Sequence, residues 1–311
     1  MVDLSVIIVC YRGRERLSKC LESLESFSGK DFSMEAIIVD NNSGDGRIDE
    51  FERKYSKFRF IRNRINGGYS NGCNLGAEHA AGDNLLFLNP DTVAKESEIG
   101  KLLNALILNQ GNFIISCKQV RENGTENKTF GSFPGLFTSA KRTSKKNEKG
   151  NITFPDWISG SVMMIRKEIF EKLNGFDEDF WMYYEDVDIC RRARDLGGEI
   201  AFYNNITVEH NHGGSSRIDL VTTSITKTEV QSSRHLYIHK HKSGIERMII
   251  QSFIIIDNLI TGIITGLIGL VFFFVSKLFV RFLIFIRLVS YYIRSLYRRS
   301  WLSPQSVNFR K

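Results

Sequence analysis

Short apolar runs alternate with a helical stretch in the N-terminal third of the sequence, and this alternation constrains the fold most strongly. Residues 4–11, 34–40 and 85–88 are apolar runs of strand length, and 58–62 is a further candidate. Residues 17–27 place leucines at helical spacing between the first two runs. Strands that alternate with helices predict an α/β fold with a mostly parallel central sheet and helices on both faces. Ligands bind such sheets at the carboxyl ends of the strands, so we expect functional residues there.

The positive charge of the chain is concentrated at its C-terminal end. The formal net charge is +7, but residues 1–257 contain 34 basic and 35 acidic residues, whereas 258–311 contain eight basic residues and no acidic one. A near-neutral body with basic residues in an apolar tail does not match the basic surface of a nucleic-acid-binding domain. The sequence therefore predicts no nucleic-acid partner.

The apolar tail predicts association with a membrane. Residues 258–276 carry no charge, and a helix of this length reaches about 28 Å, close to the thickness of a bilayer core. Arg287, Arg294 and Arg298 then fall on one helical face. Two arrangements stay open, a helix lying in the interface or a two-pass hairpin, and a single crossing is disfavoured.

The predicted boundary separates a catalytic domain at 1–243 from a membrane-associating helical tail at 244–311. Within the tail, Gly262 and Gly266 either allow a close approach of two helices or are only flexible positions. The five cysteines are scattered without metal or disulfide spacing, which fits a reducing compartment. The N-terminus lacks the pattern of a secretory signal. We therefore expect the body of the protein in a reducing compartment beside a membrane, which the family resemblance given below narrows to the cytoplasmic face of a bacterial inner membrane.

The first candidate ligand-binding residues follow the second apolar run. The turn at 11–16 lacks the glycine triplet of dinucleotide-binding folds. Asp40 ends the second run, where its carboxylate would accept the imide N–H of uracil or thymine, or else would only cap a turn. The glycine-rich segment 66–72 precedes a predicted helix, whose free N–H groups suit a diphosphate.

Metal-binding residues are expected where two strands end. Asp91 follows the run at 85–88, where a carboxylate is placed to hold a divalent cation that bridges phosphate oxygens. Near the end of the last predicted strand, at 200–209, His210 or His212 could complete the metal shell through a neutral ring nitrogen. We favour His210, because His212 already lies in a glycine turn.

A dense aromatic and acidic cluster predicts the acceptor side of an active site. Glu185, Asp186 and Asp188 open a predicted helix directly after the aromatic segment 180–184. Glu185 and Asp188 suit a structural role, because acids complement a helix N-terminus and Asp188 lies one turn from an arginine. Asp186 is better placed for general-base work on an acceptor hydroxyl, beside rings that can stack on a sugar.

Taken in order, these motifs resemble the family 2 glycosyltransferases, which have the GT-A fold, a Rossmann-like mostly parallel sheet flanked by helices. The branch of closest resemblance comprises bacterial rhamnosyltransferases of cell-surface polysaccharides such as O-antigen and capsule. The resemblance covers Leu4 to Tyr237 and rests on the order of six motifs: Val39-Asp40-Asn41-Asn42-Ser43, Asn66-Gly67-Gly68, Asn89-Pro90-Asp91, Gly175-Phe176-Asp177-Glu178, Tyr184-Glu185-Asp186-Val187-Asp188 and His210.

The resemblance implies roles for individual residues. It implies a base for the acceptor, a metal site for Mg²⁺ or Mn²⁺, a nucleotide site and an acceptor site. One departure is Asn89, where many relatives carry Asp, so metal binding without nucleotide is expected to be weak. The implied residues are Asp186 as the base, Asp91 and His210 for the metal, Tyr11, Asp40, Asn42, Gly67, Gly68 and Asn89 for the nucleotide, and Trp157, Gly160, Trp181, Tyr184 and Glu185 for the acceptor.

The implied function is an inverting, metal-dependent transfer of a sugar from a nucleoside diphosphate to a hydroxyl of a polyprenyl-linked glycan. The branch points to L-rhamnose from dTDP-rhamnose, with UDP-galactofuranose, UDP-galactose or UDP-glucose as open alternatives. A catalytically inactive, membrane-attached nucleotide-binding protein is the other alternative. The retention of Asp91, Asp186 and His210 argues against that alternative.

Overall fold

The computed structural model describes residues 2–12, 14–135, 148–211 and 219–309. The chain forms two compact units. The N-terminal unit comprises Met1–Phe133, Thr138–Asp177 and Glu185–Ser215, and the C-terminal unit comprises Pro134–Phe137, Glu178–Tyr184 and Ser216–Lys311. Residues 219–243, which the sequence analysis assigned to the catalytic domain, thus cluster with the C-terminal helices.

The N-terminal unit is built on a ten-stranded sheet, with one additional two-stranded sheet formed by β7 and β10. The order in the large sheet is β3-β2-β1-β4-β11-β6-β12-β9-β8, and β5 pairs with β12. The strands are β1 (Leu4–Cys10), β2 (Met34–Asp40), β3 (Arg59–Arg62), β4 (Asn84–Leu88), β5 (Thr92–Val93), β6 (Asn112–Val120), β7 (Phe130–Gly131), β8 (Glu148–Lys149), β9 (Ile152–Thr153), β10 (Trp157–Ile158), β11 (Val162–Arg166) and β12 (Glu199–His210).

Helices flank this sheet, as the alternating pattern predicts. Residues of β1 alternate between two cores, with Val6 and Ile8 packed in one and Ile7 and Val9 in the other, so both faces of the strand are covered. The helices of the unit are α1 (Arg14–Glu25), α2 (Ile48–Lys54), α3 (Gly68–Glu78), α4 (Glu96–Leu108), α5 (Lys167–Lys172) and α6 (Glu185–Asp195).

The direction of β11 positions the candidate site. Strands β1, β2, β3 and β4 are parallel neighbours, and β6 is parallel to β12. Between these two groups, β11 runs antiparallel to both β4 and β6. The start of β11 therefore lies beside the end of β4, with Val162 opposite Leu88. The mostly parallel sheet is confirmed, whereas β6 was not anticipated from the sequence.

Two glycines let α3 approach the sheet closely. A Cβ atom on Gly76 would lie 2.5 Å from the Ile7 side chain, and one on Gly72 would lie 2.7 Å from Val9. The sequence analysis read the segment 66–72 as a loop ahead of the helix. The helix in fact begins at Gly68, so Gly72 serves helix–sheet packing rather than the turn.

The C-terminal unit contains three long helices, α7 (Leu220–His241), α8 (Gly244–Val271) and α9 (Ser276–Arg298). In the part of the chain that the structure describes, α8 is the one helix long and apolar enough to cross a bilayer, judged by length and composition. Phe285 packs against both Gly262 and Gly266, and the Leu278 carbonyl packs against Gly269. The two helices therefore form a close antiparallel hairpin, hereafter the α8–α9 hairpin, and the first reading of the Gly262–Gly266 pair is confirmed.

We expect Gly76→Ala to destabilise the protein by about 1–3 kcal/mol, because the added methyl overlaps the Ile7 side chain and overpacking a core costs this much. Gly100→Ala is the matched control, because a Cβ there meets Phe32 at an ordinary 3.4 Å. Because alanine favours a helix more than glycine does, Gly100→Ala in α4 should leave the free energy of unfolding unchanged or raise it by up to about 1 kcal/mol. Urea unfolding of both variants measures the difference, and equal stability of the two would contradict the packing argument.

Candidate active site

The residues assigned to the nucleotide lie at the carboxyl ends of the parallel strands. Tyr11 follows β1, Asp40 ends β2, and Asn89 follows β4. Both carboxylate oxygens of the buried Asp40 accept the Ser43 N–H, at 3.3 and 3.4 Å. Asn42 has a φ of 59°, a left-handed conformation that asparagine tolerates in turns.

A network of side-chain amides joins the end of β2 to the start of α3. The Asn41 amide donates to the Asn66 side-chain oxygen at 3.1 Å and to the Gly68 carbonyl at 2.9 Å. Asn63 in turn donates to the side-chain oxygens of Asn41 at 3.0 Å and of Asn71 at 2.7 Å. Gly67, directly before α3, has no room for a side chain because Asn71 occupies that space. The structure therefore brings Gly67 and Gly68 to the same sheet edge as Asp40.

Asp91 and His210 meet because β5, which begins at the residue after Asp91, pairs with the end of β12. His210 Nε2 lies 3.1 Å from Asp91 Oδ1, and the His210 side chain is almost fully buried. The main chains are also joined, since the Asn211 N–H donates to the Asp91 carbonyl at 2.9 Å. The alternative ligand His212 lies outside the described residues.

Gln119 orients this pair and was missed by the sequence analysis. Its side-chain oxygen lies 2.7 Å from His210 Nδ1 and also accepts the Ser161 hydroxyl at 2.8 Å. With Nδ1 donating to Gln119, Nε2 would be the ring nitrogen left to bind a cation beside Asp91. This is the form in which histidine binds a metal, so the two side chains fit a divalent cation. The sequence signal that could have found it is a glutamine shortly after the mostly apolar run at 113–117, and the structure shows that this glutamine is fully buried.

The site offers few protein side chains that could bind a metal ion. No group of three or more His, Cys, Asp or Glu side chains with metal-binding geometry occurs among the residues that the structure describes. Arg16 is a second residue that sequence reasoning missed, and its guanidinium lies 3.4 Å from Asp91 Oδ2. Burial acts to raise the pKa of Asp91, but the hydrogen bond and charge of His210 and the charge of Arg16 outweigh it, so the pKa lies below its ordinary value.

Asp186 occupies a different environment at the start of α6. Its carboxylate accepts two backbone N–H groups, from Gly160 at 3.1 Å and from Val187 at 2.8 Å. The side chain keeps part of its surface, yet the atoms around the carboxyl group remove enough hydration to raise its pKa to about 6. A carboxyl group with this pKa is ionised at neutral pH and can accept a proton.

A continuous series of contacts links Asp91 to Asp186 within the N-terminal unit. The Asn89 N–H donates to the Ser161 carbonyl at 2.9 Å, across the antiparallel pairing of β4 and β11. Gly160, the residue before Ser161, donates to Asp186 at 3.1 Å. Both carboxylates therefore belong to the same end of the central sheet and are joined through one short segment.

The residues assigned to the acceptor divide between the two units. In the N-terminal unit, the Gly160 carbonyl accepts the Tyr69 hydroxyl at 2.7 Å, and Trp157 Nε1 donates to the Ser132 carbonyl at 3.0 Å. Glu185 is buried at the start of α6. The pairing of the next acid, Asp188, with Arg192 is confirmed at 2.7 Å.

Trp181 and Tyr184 belong to the C-terminal unit, in the segment 178–184. This segment is tied to α7: the Tyr184 ring packs on Tyr237 with centroids 5.7 Å apart, and the Ser233 hydroxyl donates to the Met182 carbonyl at 2.9 Å. Helix α7 was not anticipated from the sequence. The aromatic segment therefore depends on a helix outside the N-terminal unit.

Similarity to solved structures defines the fold. The fold resembles GalNAc-T7, solved with UDP, GalNAc and Mn²⁺, with a TM-score of 0.56 at 15% identity over 75% of this chain and 47% of that one. It also resembles the mannosyltransferase PcManGT of Pyrobaculum calidifontis, solved with GDP-Man and Mn²⁺, with a TM-score of 0.55 at 12% identity over 78% of this chain and 64% of that one. The chain thus spans less than two thirds of either solved chain, and its fold is GT-A.

Sequence similarity then identifies the family. The profile described as glycosyl transferase family 2 matches residues 5–173, and a second, described as the N-terminal domain of galactosyltransferase, matches 143–213. The protein belongs to glycosyl transferase family 2 and is a glycosyltransferase.

Three curated relatives are similar over most of their length. The low-salt glycan biosynthesis hexosyltransferase Agl10 of Haloferax volcanii is 25% identical, covering 76% of this chain and 72% of the relative. Rhamnosyltransferase WbbL of Escherichia coli is 27% identical, covering 60% and 75%. The N-acetylglucosaminyl-diphospho-decaprenol L-rhamnosyltransferase of Mycobacterium tuberculosis is 26% identical, covering 70% and 78%.

The raised pKa of Asp186 predicts a pH-dependent effect of Asp186→Asn on stability. The folded-state pKa, about 6, lies above the unfolded value of about 3.9, so the wild-type protein loses stability as pH rises between these values. We expect the melting temperature of the variant, relative to wild type, to rise over this interval and to level off above it. Asp195→Asn, in the same helix, is the control, and a pH-independent difference for Asp186→Asn would contradict the prediction.

Proposed function

We propose that this protein is an inverting, metal-dependent glycosyltransferase that moves a sugar from a nucleoside diphosphate to a hydroxyl of a lipid-linked glycan. The observation that carries the proposal is the pair of carboxylates at one end of the sheet, Asp91 beside His210 and Asp186 beside Gly160. Asp91 is suited to bind a cation, and Asp186 is suited to accept a proton. A metal-dependent single-displacement transfer uses both functions, the cation to stabilise the leaving group and the base to take the proton of the acceptor.

Asp91 and His210 would hold Mg²⁺ or Mn²⁺, which when bound supplies positive charge against the diphosphate leaving group. The remaining ligands would come from the diphosphate, because Asn89 stands where a further carboxylate is common. Arg16, beside Asp91, adds a fixed positive charge. Two protein ligands support the expectation that the cation binds weakly until the nucleotide is present.

Asp186 would act as the general base. Its carboxylate removes the proton of the acceptor hydroxyl as that oxygen attacks the anomeric carbon from the face opposite the diphosphate, which inverts the configuration. The backbone N–H groups of Gly160 and Val187 fix the orientation of the carboxylate. The pKa of about 6 keeps it ionised, yet more basic than an ordinary aspartate.

The nucleotide would lie along the ends of β1, β2 and β4. Asp40 is proposed to accept the imide N–H of the base, with Tyr11 and Asn42 beside it. The start of α3, at Gly67 and Gly68, would face the diphosphate. Because the carboxylate of Asp40 is proposed to accept an imide N–H, sugar donors that carry uracil or thymine suit the site. The names of the two rhamnosyltransferase relatives favour rhamnose as the sugar, so we propose dTDP-rhamnose as the donor, with UDP-galactofuranose and UDP-hexoses as the alternatives.

The acceptor would be a polyprenyl-linked glycan, as the decaprenol-linked substrate in the name of the mycobacterial relative suggests. Trp157, Gly160, Glu185, Trp181 and Tyr184 are the proposed acceptor residues. A lipid-linked acceptor requires access to a membrane surface. The exposed apolar residues of α8 support membrane association, proposed here at the cytoplasmic face of the bacterial inner membrane.

Removal of the proposed base should slow turnover strongly while sparing nucleotide binding. We expect Asp186→Asn to lower the rate of sugar transfer about 100- to 10,000-fold, the usual contribution of a positioned general base. The assay incubates the full chain with dTDP-rhamnose, UDP-galactofuranose, UDP-galactose or UDP-glucose and a polyprenyl-diphosphate-linked acceptor. Calorimetry with the free nucleotide serves as the binding measurement.

Asp195→Asn is the matched control and should leave the rate near that of wild type. Near-normal transfer by Asp186→Asn would overturn the assignment of the base. Nucleotide binding by the wild-type protein without consumption of any donor would instead favour the inactive nucleotide-binding alternative.

The role of Gln119 predicts a second, independent effect. Gln119→Leu removes the acceptor for His210 Nδ1, and loss of such an outer partner lowers metal affinity about 10- to 100-fold. Gln119→Glu retains an acceptor oxygen and should stay within a few-fold of wild type. Titration of Mn²⁺ in the presence of UDP, followed by electron paramagnetic resonance, measures the affinity. Equal Mn²⁺ affinity of the leucine variant and wild type would contradict the proposed metal site.

A further inference from the structure

A groove of about 400 Å³ lies between α7, α8 and α9, entirely within the C-terminal unit. Helix α8 lines it with Asn258, Thr261 and Thr265, which share one face because they are spaced three and four residues apart. Between 258 and 271 these are the only polar side chains in the sequence. Every polar side chain of this apolar stretch therefore faces the same groove.

Helix α9 shows the same pattern. Arg281 is the only charged or polar side chain in the sequence between 278 and 286, and it lines the groove beside Phe285. On the other side, α7 contributes Lys227. Polar and charged groups are costly in a helix that faces lipid, so their convergence on one groove points to a ligand.

The charge of the groove defines the ligand. Lys227 and Arg281 are both exposed, and neither has an ion-pair partner among the residues that the structure describes. The groove has no acidic lining residue, and the nearby Asp257 lies outside it. The Asn258 amide donates both of its hydrogens within the protein, to the Tyr292 hydroxyl at 2.8 Å and to the Gln231 side-chain oxygen at 3.3 Å, so it joins α8 to α9 and α7 rather than binding a ligand. Two cations and the Thr261 hydroxyl suit a phosphate, whereas the Thr265 hydroxyl already donates to the Thr261 carbonyl at 2.8 Å.

The surroundings distinguish a lipid phosphate from a free one. The exposed apolar face of α8, which includes Ile260, Ile264 and Leu267, continues along the same helix. Phe285 supplies an apolar wall inside the groove. A headgroup phosphate in the groove would therefore leave the acyl chains against apolar helix surface. Ligand pockets are commonly about 300–1,000 Å³, so the groove is large enough for a phosphoglycerol headgroup.

We propose that this groove binds the phosphate of an anionic membrane phospholipid such as phosphatidylglycerol, with Lys227 and Arg281 as the phosphate-binding side chains. The proposal rests on the membrane association proposed above and adds a defined site to it. The guanidinium of Arg281 offers two parallel donors to the phosphate oxygens, and the Lys227 ammonium adds a point charge. The lipid phosphate would then neutralise Arg281 where α9 contacts the membrane.

The test measures flotation of the full chain with phosphatidylcholine vesicles, with and without phosphatidylglycerol. The groove variant combines Lys227→Gln with Arg281→Gln. The matched control combines Arg247→Gln with Lys277→Gln, which removes the same charge from α8 and α9 at positions outside the groove. We expect the groove variant to lose about tenfold more phosphatidylglycerol-dependent binding than the control, because direct charge-assisted hydrogen bonds are lost in addition to general attraction.

Equal losses in the two double variants would overturn the proposal, because general attraction depends only on the charge removed. A third set of vesicles carries polyprenyl diphosphate in place of phosphatidylglycerol at matched charge. A groove-dependent effect confined to these vesicles would overturn the phospholipid assignment in favour of a lipid diphosphate. Failure of the wild-type chain to float with any vesicle would overturn both the proposal and the membrane association, while sugar transfer from the donor would test the glycosyltransferase function separately.

Discussion

The antiparallel pairing of β4 with β11 is the constraint on which the candidate site depends. Because the two strands run in opposite directions, the segment that begins β11 lies beside the residues that follow β4. The hydrogen bond from Asn89 to Ser161 fixes this contact at 2.9 Å. Asp91 and Asp186 are more than ninety positions apart in the sequence, yet Asp91 lies two residues after Asn89, and Asp186 accepts a hydrogen bond from Gly160, the residue before Ser161.

The environments of the two carboxylates explain how one site can hold a cation and accept a proton. A positive guanidinium and a histidine face Asp91 and lower its pKa. Loss of hydration raises the pKa of Asp186 to about 6, although the two backbone N–H groups that it faces act to lower it. Pairs of carboxyl groups whose surroundings separate their pKa values suit the division of labour between electrostatic stabilisation and proton transfer.

The C-terminal unit contributes more to the proposed function than an apolar surface. Its α7 carries Tyr237 and Ser233, which hold the aromatic segment containing Trp181 and Tyr184. The same helix carries Lys227 at the groove of the α8–α9 hairpin. One helix therefore supports both the proposed acceptor segment and the proposed phospholipid site, so membrane binding and acceptor binding would share a support.

The sequence by itself determined the class of fold, because strand-length apolar runs and helical periodicity are local properties that survive without tertiary contacts. It also pointed to Asp40, Asp91, Asp186 and His210, since acids and histidines at strand or helix ends stand out in an apolar context. Tertiary structure alone decided the rest. Gln119 and Arg16 become neighbours of His210 and Asp91 only through strand pairing and helix placement, and the polar stripes of α8 and α9 acquire a common groove only when the helices pack, because contacts between residues distant in sequence leave no periodic signature.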